Sequence, residues 1–247
     1  MGKDLRHFIY TIRYPLLLLS VLWIITPLNI VFDLGLTSLG IYPRIPVYLL
    51  AVFTGPLIHG SIGHLASNSL PILMLTSILV LFFPKVALKA FISITIGTGL
   101  MVWLWARPSY HVGISGVIYG LIAFIFWTGV FRKNVKTIVL SLVVLTLYAG
   151  SVESIFPNVE ENISWESHLY GGIFGIVVAF VFRNVTEKDE EIYDRKPSWA
   201  NEHEVKQYFL PRDVFEKTKL QRYYEYLEAE RLRQIQESQS NYFQNNT

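Results

Sequence analysis

A serine and a histidine lie near the starts of two apolar segments of this sequence. Ser115 lies within Gly113-Ile-Ser-Gly116, and His168 lies within Ser167-His-Leu-Tyr-Gly171. A histidine beside a serine hydroxyl can take its proton as the oxygen attacks a carbonyl carbon, and can later give that proton to the leaving amine. The two residue types therefore predict nucleophilic acyl transfer, with Ser115 as the nucleophile and His168 as the general base.

Two further polar residues lie in another apolar segment. His64 and Asn68 are four residues apart, so a helix would place them on one face. Polar residues within membrane spans are costly and usually face the bundle interior in a functional role. An imidazole and a carboxamide there could donate hydrogen bonds to the oxyanion of a tetrahedral intermediate, as could backbone N–H groups at the helix that begins near Ser115.

Helix geometry predicts one depth for three of these residues. Counted from the opposite boundary of each span at about 1.5 Å per residue, Ser115, Asn68 and His168 lie ~24, ~22 and ~21 Å away. His64 lies one turn higher. No Asp or Glu falls within a predicted span at this level, so we expect a Ser–His dyad in which packing, not a third carboxylate, orients the histidine.

The same helices carry an aromatic residue and two small-residue patterns. Tyr119 lies four residues after Ser115, where its ring could stack on His168. The patterns are Gly116-Val-Ile-Tyr-Gly120 and Gly171-Gly-Ile-Phe-Gly175. Each pattern alone indicates only close helix packing. Together they would bring the two helices near enough for a dyad.

Composition indicates that these helices lie in a membrane. Hydrophobic residues make up 52% of the chain and charged residues 16%, against about 25% charged in a typical soluble domain. Residues 187–247 hold 23 of the 40 charged residues. Six apolar segments approach the ~20 residues that a membrane helix needs. These predicted spans are 14–33, 60–83, 86–105, 114–131, 135–151 and 167–183.

The predicted organisation follows from these spans. Residues 1–13 form a cytoplasmic N-terminus, 14–185 an all-α domain of six transmembrane helices, and 186–247 a charged cytoplasmic tail. Basic residues concentrate on the connectors of one side, which the positive-inside rule places in the cytoplasm with both termini. We expect residues 34–60 to form an outer loop. A capping box, Asp213-Val-Phe-Glu216, predicts a tail helix over 213–236.

The motifs resemble those of the rhomboid intramembrane serine proteases, over roughly residues 8–185. The matching pieces are His64-Leu-Ala-Ser-Asn68, Gly113-Ile-Ser-Gly-Val-Ile-Tyr-Gly120 and His168-Leu-Tyr-Gly-Gly-Ile-Phe-Gly175, on the second, fourth and sixth spans. The resemblance implies the same dyad and oxyanion-hole roles, the stacking role of Tyr119, and a supporting role for His59. One departure is Tyr42-Pro-Arg44, where many members carry a Trp-Arg pair in the first outer loop.

The resemblance also implies what the protein acts on. Its substrates would be transmembrane segments of other proteins, cut near the outer membrane face, without metal or cofactor. We expect a multi-pass protein of the bacterial plasma membrane, in contact with lipid and without a nucleic-acid partner. The chain has no cysteine, so thiolate chemistry is excluded.

Two other functions remain open on the sequence alone. A catalytically inactive relative would bind membrane proteins, although such relatives usually lack the serine or the histidine. A small transporter would spread polar groups through the bilayer depth, whereas here they share one level. His111, in the connector before Gly113, is interpreted as a residue of an outer loop without an assigned role. The sequence leaves the oligomeric state open.

Overall fold

The structure, a computed structural model, describes residues 3–157, 164–193 and 216–245. It divides into two compact units, residues 1–194 and 195–247. The first unit is helical. Its helices are α1 (Lys3–Val31), α2 (Ala51–Thr54), α3 (Ile62–Phe82), α4 (Ala87–Trp105), α5 (Ser115–Arg132), α6 (Val135–Tyr148), α7 (Trp165–Val181) and α8 (Lys188–Tyr193).

The predicted spans correspond to six of these helices. Five apolar segments are long enough to cross a membrane: Phe8–Val31, Ile62–Phe82, Ala87–Trp105, Ser115–Arg132 and Val135–Ile155. The sixth, α7, is apolar but has 17 residues, so it rises only ~26 Å. The predicted class, an all-α membrane bundle, is confirmed.

Helix α5 lies at the centre of the bundle, packed against α3, α4, α6 and α7. Its side chains Leu121, Phe124 and Ile125 are fully buried. Lipid tails are as apolar as these side chains, so burial alone gives little drive for helices to associate in a bilayer. The bundle therefore depends on close van der Waals contact and on hydrogen bonds between helices.

The closest helix contact joins α5 to α7. A Cβ at Gly171 would overlap the carbonyl oxygen of Gly116, and a Cβ at Gly175 would overlap that of Gly120. Only glycine permits this backbone approach, as expected for small-xxx-small patterns. The two predicted glycine patterns therefore face each other, and they begin one residue after Ser115 and three residues after His168.

Two boundaries differ from the sequence-based expectation. Within the predicted loop 34–60, the stretch Pro46–Leu57 is helical, in short α and 3₁₀ turns. Helix α7 begins at Trp165, two residues before its predicted start, because the hydroxyl of Ser164 accepts a hydrogen bond from the Ser167 N–H and caps the helix. This earlier start places Glu166 inside the helix.

We call the end of the bundle where α5 begins, at Ser115, the serine end, and the end where α5 finishes, at Arg132, the arginine end. Ion pairs cross the arginine end. The Arg132 guanidinium lies 3.3 Å from Glu190 and donates to the Phe182 carbonyl at 3.0 Å. The Lys136 ammonium lies 2.9 Å from Asp189 and 3.1 Å from Glu190.

A second pair of contacts joins the α3–α4 connector to the same segment. The Lys85 backbone N–H donates to Glu187 at 3.2 Å, and its ammonium donates to the Thr186 carbonyl at 2.7 Å. The stretch 186–190 thus binds the ends of several helices and belongs to the folded bundle.

The second unit contains α9 (Lys219–Asn245). Thr218 and Gln221 cap it reciprocally, since the Thr218 N–H donates to the Gln221 side chain and the Gln221 N–H donates to the Thr218 hydroxyl. Residue 213, where the tail helix was predicted to begin, lies outside the described residues, and residues 216–218 precede the helix.

Candidate active site

Ser115 is the first residue of α5 and is 8% exposed. The turn before it depends on Gly113, whose φ of +109° is a conformation that side-chain-bearing residues rarely adopt. A Cβ at Gly113 would also come within 2.7 Å of the His64 ring. The glycine thus allows the backbone to turn into α5 directly against His64.

His168 lies in the first turn of α7 and is 6% exposed. Its ring stacks on Tyr119, with centroids 4.2 Å apart and planes inclined by 14°. Its Nδ1 lies 3.0 Å from the Ser154 carbonyl oxygen, which can only accept, so Nδ1 carries a proton. In the neutral ring Nε2 then has the free lone pair that a general base needs.

Tyr119 is itself held in place. Its hydroxyl donates to the Ser151 carbonyl at 2.7 Å and contacts the Ser154 hydroxyl. The 3₁₀ turn that contains both serines, Ala149–Ile155, therefore orients the stacking ring and the histidine together. This turn supplies a hydrogen-bond acceptor for His168, the position that a carboxylate takes in Ser-His-Asp triads.

The glycine contact places Ser115 and His168 on adjoining helix turns. Gly116, next to the serine, lies against Ser167, next to the histidine: a Cβ at Gly116 would come within 3.0 Å of the Ser167 carbonyl oxygen. The Ser115 hydroxyl makes no hydrogen bond within the part of the chain that the structure describes. Catalytic hydrogen bonds are often long without substrate and tighten when it binds.

His64 and Asn68 lie on α3, which packs against α5. Asn68 is 7% exposed, and among the described residues its side-chain Nδ2 has no hydrogen-bond partner. A buried amide donor without a partner is costly, and a substrate oxygen could satisfy it. His64 is partly exposed, and its backbone N–H caps the helix start through the Ser61 hydroxyl.

His59 supports the turn into α5. Its fully buried ring packs edge-on against His64, with centroids 5.0 Å apart. Its Nε2 accepts a hydrogen bond from the Ile114 N–H at 3.4 Å. Burial, followed by the nearby His64, lowers the pKa of His59 to about 4, so the ring stays neutral and able to accept.

The structure adds residues near the site that the sequence did not indicate. Glu166 is 3% exposed and pairs with Arg107 at 3.5 Å. His111 is 3% exposed, and its Nδ1 lies 2.6 Å from the Ser164 hydroxyl. The sequence carried one signal for this region. In Ser164-x-x-Ser167, a serine just before an apolar segment is typical of a helix N-cap.

No metal centre is apparent in residues 3–157, 164–193 and 216–245. Within those ranges, no group of three or more His, Cys, Asp and Glu side chains could hold a metal ion. The expectation that the protein needs no metal or cofactor stays a prediction.

Comparison with known proteins gives the family. The rhomboid domain model matches residues 47–185, which is more than half of the chain. Similar proteins include an uncharacterized protein of Mycobacterium tuberculosis, 33% identical over 150 residues, or 58% of this chain and 62% of that protein. An uncharacterized protein of Mycobacterium leprae is 31% identical over 138 residues, which cover 51% of this chain and 53% of that protein.

A Bacillus subtilis protein with the provisional name rhomboid protease YdcA is 28% identical over 135 residues, covering 53% of this chain and 65% of that protein. In each case the match spans less than two thirds of the relative. The chain belongs to the rhomboid family, and it is an integral membrane protein with an all-α bundle.

Proposed function

We propose that this protein is an intramembrane serine endopeptidase that uses Ser115 as the nucleophile and His168 as the general base. The observation that carries the proposal is the arrangement of His168. Its Nδ1 is fixed by the Ser154 carbonyl, its ring is stacked on Tyr119, and its helix meets the helix of Ser115 through facing glycines. This tautomer leaves Nε2 free to take a proton, as a general base must.

The chemistry runs in two steps. Nε2 of His168 takes the proton of the Ser115 hydroxyl as the oxygen attacks the peptide carbonyl carbon. The imidazolium then gives that proton to the departing amine, which leaves an acyl-enzyme. A water molecule repeats the attack, with His168 again as base, and releases the carboxylic acid. The Ser154 carbonyl stabilises the imidazolium through Nδ1–H in each step.

The oxyanion requires donors that are in place before the reaction. We assign this role to the Asn68 amide, with support from the His64 ring and the first N–H groups of α5. The assignment is supported by the buried Nδ2 of Asn68, which has no hydrogen-bond partner among the described residues. His59 would act indirectly: it accepts a hydrogen bond from the Ile114 N–H and so holds the turn before Ser115 in place.

The substrates we propose are transmembrane segments of other membrane proteins. A hydroxyl near one end of a spanning helix reaches peptide bonds near the end of a neighbouring helix, not at the bilayer centre. The basic residues on the connectors of the arginine end support a cytoplasmic location for that end and for both termini. Cleavage would then occur near the outer face of a bacterial plasma membrane.

The first test is labelling by a fluorophosphonate probe in detergent, with cleavage of a reporter transmembrane substrate measured in parallel. We expect wild-type protein to be labelled and to cleave. Ser115→Ala should lose both, and His168→Ala should lose cleavage, while both variants keep the wild-type unfolding temperature. Cleavage by Ser115→Ala above about a thousandth of the wild-type rate would exclude covalent catalysis by this serine. Absence of labelling in the folded wild type would favour an inactive binder.

The orientation has its own test. Cysteine introduced at exposed Tyr110, at the serine end, should react with an impermeant maleimide added outside intact cells. Cysteine introduced at exposed Lys89, at the arginine end, should react only after the membrane is opened. The opposite pattern would reverse the proposed topology.

A further inference from the structure

The connector that leads from α4 to Ser115 carries a buried histidine with a partner on each side of its ring. Nδ1 of His111 lies 2.6 Å from the Ser164 hydroxyl, and Nε2 lies 3.0 Å from the Arg107 carbonyl oxygen. The backbone of His111 is also fixed, because its N–H and carbonyl both bond to Ile41, at 2.9 and 3.0 Å. The His111 ring therefore projects from a backbone that is held in place.

The partners determine the ring's tautomer. A carbonyl oxygen can only accept, so Nε2–H donates to Arg107 and Nδ1 of the neutral ring accepts from the Ser164 hydroxyl. Burial lowers the pKa of His111, which favours this neutral form. The Ser164 oxygen can then accept from the Ser167 hydroxyl, 2.7 Å away, and from the Ser167 N–H.

Ser164 is the N-cap of α7, and α7 carries His168 in its first turn. The hydrogen bonds thus run from the connector, through the cap, into the turn that holds the base. The same connector ends at Ser115, four residues after His111. A second contact also links this connector to the start of α7, since the Arg107 N–H and guanidinium both lie close to the Glu166 carboxylate.

We propose that His111 is a positioning residue, whose hydrogen bond to Ser164 holds the first turn of α7 against the connector and so sets the separation of His168 from Ser115. The effect on turnover rests on the proposed function. The mechanical part, a link between His111 and the start of α7, does not depend on it.

The test uses full-length protein in detergent and three variants: His111→Ala, Ser164→Gly and the double variant. Glycine is tolerated at helix N-caps almost as well as serine, so Ser164→Gly removes the link at little cost to the helix start. Each single variant should lower kcat at least roughly tenfold, since ~1 Å of misplacement can cost ~100-fold. KM should stay unchanged, because no substrate contact is lost.

Coupling separates positioning from general destabilisation. Turnover is divided by the fraction of molecules that a fluorophosphonate labels at completion, which counts folded sites. The double variant should be no slower than the slower single variant, because both changes break one link. Ser164→Thr, which retains a hydroxyl, should restore most of the turnover. Losses that multiply in the double variant, or wild-type turnover per labelled site, would overturn the proposal.

Ser109→Ala is the matched control. Its hydroxyl lies 3.3 Å from Nε2 of the same ring, on the side away from α7, so its loss should leave turnover unchanged. A readout independent of activity is hydrogen exchange of the Ser167 and His168 amides, which should accelerate in His111→Ala and Ser164→Gly but not in Ser109→Ala. If wild type is inactive, the proposed function fails while this exchange still decides the link. Unchanged exchange in both variants would refute it.

Discussion

The two ends of the bundle are stabilised by different kinds of interaction. At the serine end, facing glycines join α5 to α7, and neutral hydrogen bonds hold His168 and the cap of α7. The buried polar groups there include the Asn68 amide, whose Nδ2 has no hydrogen-bond partner among the described residues. At the arginine end, oppositely charged side chains are buried against each other. The Arg132 and Glu190 side chains are only 3% and 5% exposed.

The difference follows from what each end has to do. Buried charges cannot be left unpaired, so an ionic cluster holds its members in one arrangement. Burial works against the charge of Glu190, yet the Glu187 N–H and the cations of Lys136 and Arg132 hold its pKa below the usual range. Burial raises the pKa of Glu187. A site that must receive substrate needs the opposite property, namely donors not yet satisfied. The cluster of buried charges lies at the end away from Ser115, whereas at the serine end Glu166 pairs with Arg107, whose side chain is 41% exposed.

The largest effect on stability should come from Arg132→Ala. The change leaves the Glu190 carboxylate buried with Lys136 and without its guanidinium partner, and removing one member of a buried pair costs roughly 3–5 kcal/mol. We expect a value near the lower limit, measured by unfolding in detergent. Turnover per folded molecule should be retained. Lys89→Ala, an exposed cation at the same end, should change stability by less than about 0.5 kcal/mol. An Arg132→Ala protein as stable as wild type would show that the charges contribute nothing.

The opposite result is expected at the serine end for Asn68→Ala. Turnover should fall roughly 100- to 1,000-fold, as for loss of one oxyanion donor, or ~2.7–4 kcal/mol. Stability should be unchanged or slightly raised, because a buried donor without a partner is removed. Ser115 should still be labelled by a fluorophosphonate, more slowly. His64→Ala should lose less. Exposed Ser67, one residue before Asn68, provides the control: Ser67→Ala should turn over normally. Normal turnover in Asn68→Ala would make this amide structural.

Facing glycines should affect both properties at once. Gly171→Ala introduces a methyl group into the Gly116 carbonyl, and overpacking typically costs ~1–3 kcal/mol. Turnover should fall as well, because α7 must shift and carry His168 with it. Gly172→Ala is the matched control, since a Cβ there meets no atom within 4 Å. Equal behaviour of the two variants, in unfolding and in cleavage, would argue against the helix contact.

The smallest effect is expected for removal of residues 191–247. This truncation keeps Glu187, Asp189 and Glu190, so unfolding temperature and cleavage in detergent should stay close to those of the full chain. Removal of 186–247 also takes the three carboxylates and should destabilise the bundle. If the shorter truncation alone abolished cleavage in a folded, inserted protein, the tail would be part of the enzyme.

The sequence predicted most of the fold because lipid permits few backbone structures. Each span must satisfy its own backbone hydrogen bonds, so an apolar run of sufficient length indicates a helix. The arrangement of Tyr119 on His168 and the facing glycines were also predictable, since helical spacing determines which side chains share a face.

What the sequence did not indicate depends on contacts between distant segments. The Ser154 carbonyl that orients His168 belongs to the backbone, so no residue type identifies it. The tie from His111 to Ser164 joins two connectors, where no helical period relates the partners. Glu166 lies just outside the predicted span 167–183, whereas the structure places it in α7, where Arg107 pairs with its buried carboxylate.

The cations and the carboxylates of the arginine end are made at different times during synthesis of the chain. Arg132 and Lys136 are synthesised before the acidic residues that pair with them, and at ~5–20 residues per second the interval from Lys136 to Glu190 lasts roughly 3–11 s. During that interval the carboxylates of Asp189 and Glu190 have not yet been made, so the cations would be available to influence how the neighbouring helices enter the membrane. The carboxylates arrive only after α7 has been made. The same cations would thus first direct insertion of the helices and then, once paired with the carboxylates, stabilise the completed bundle.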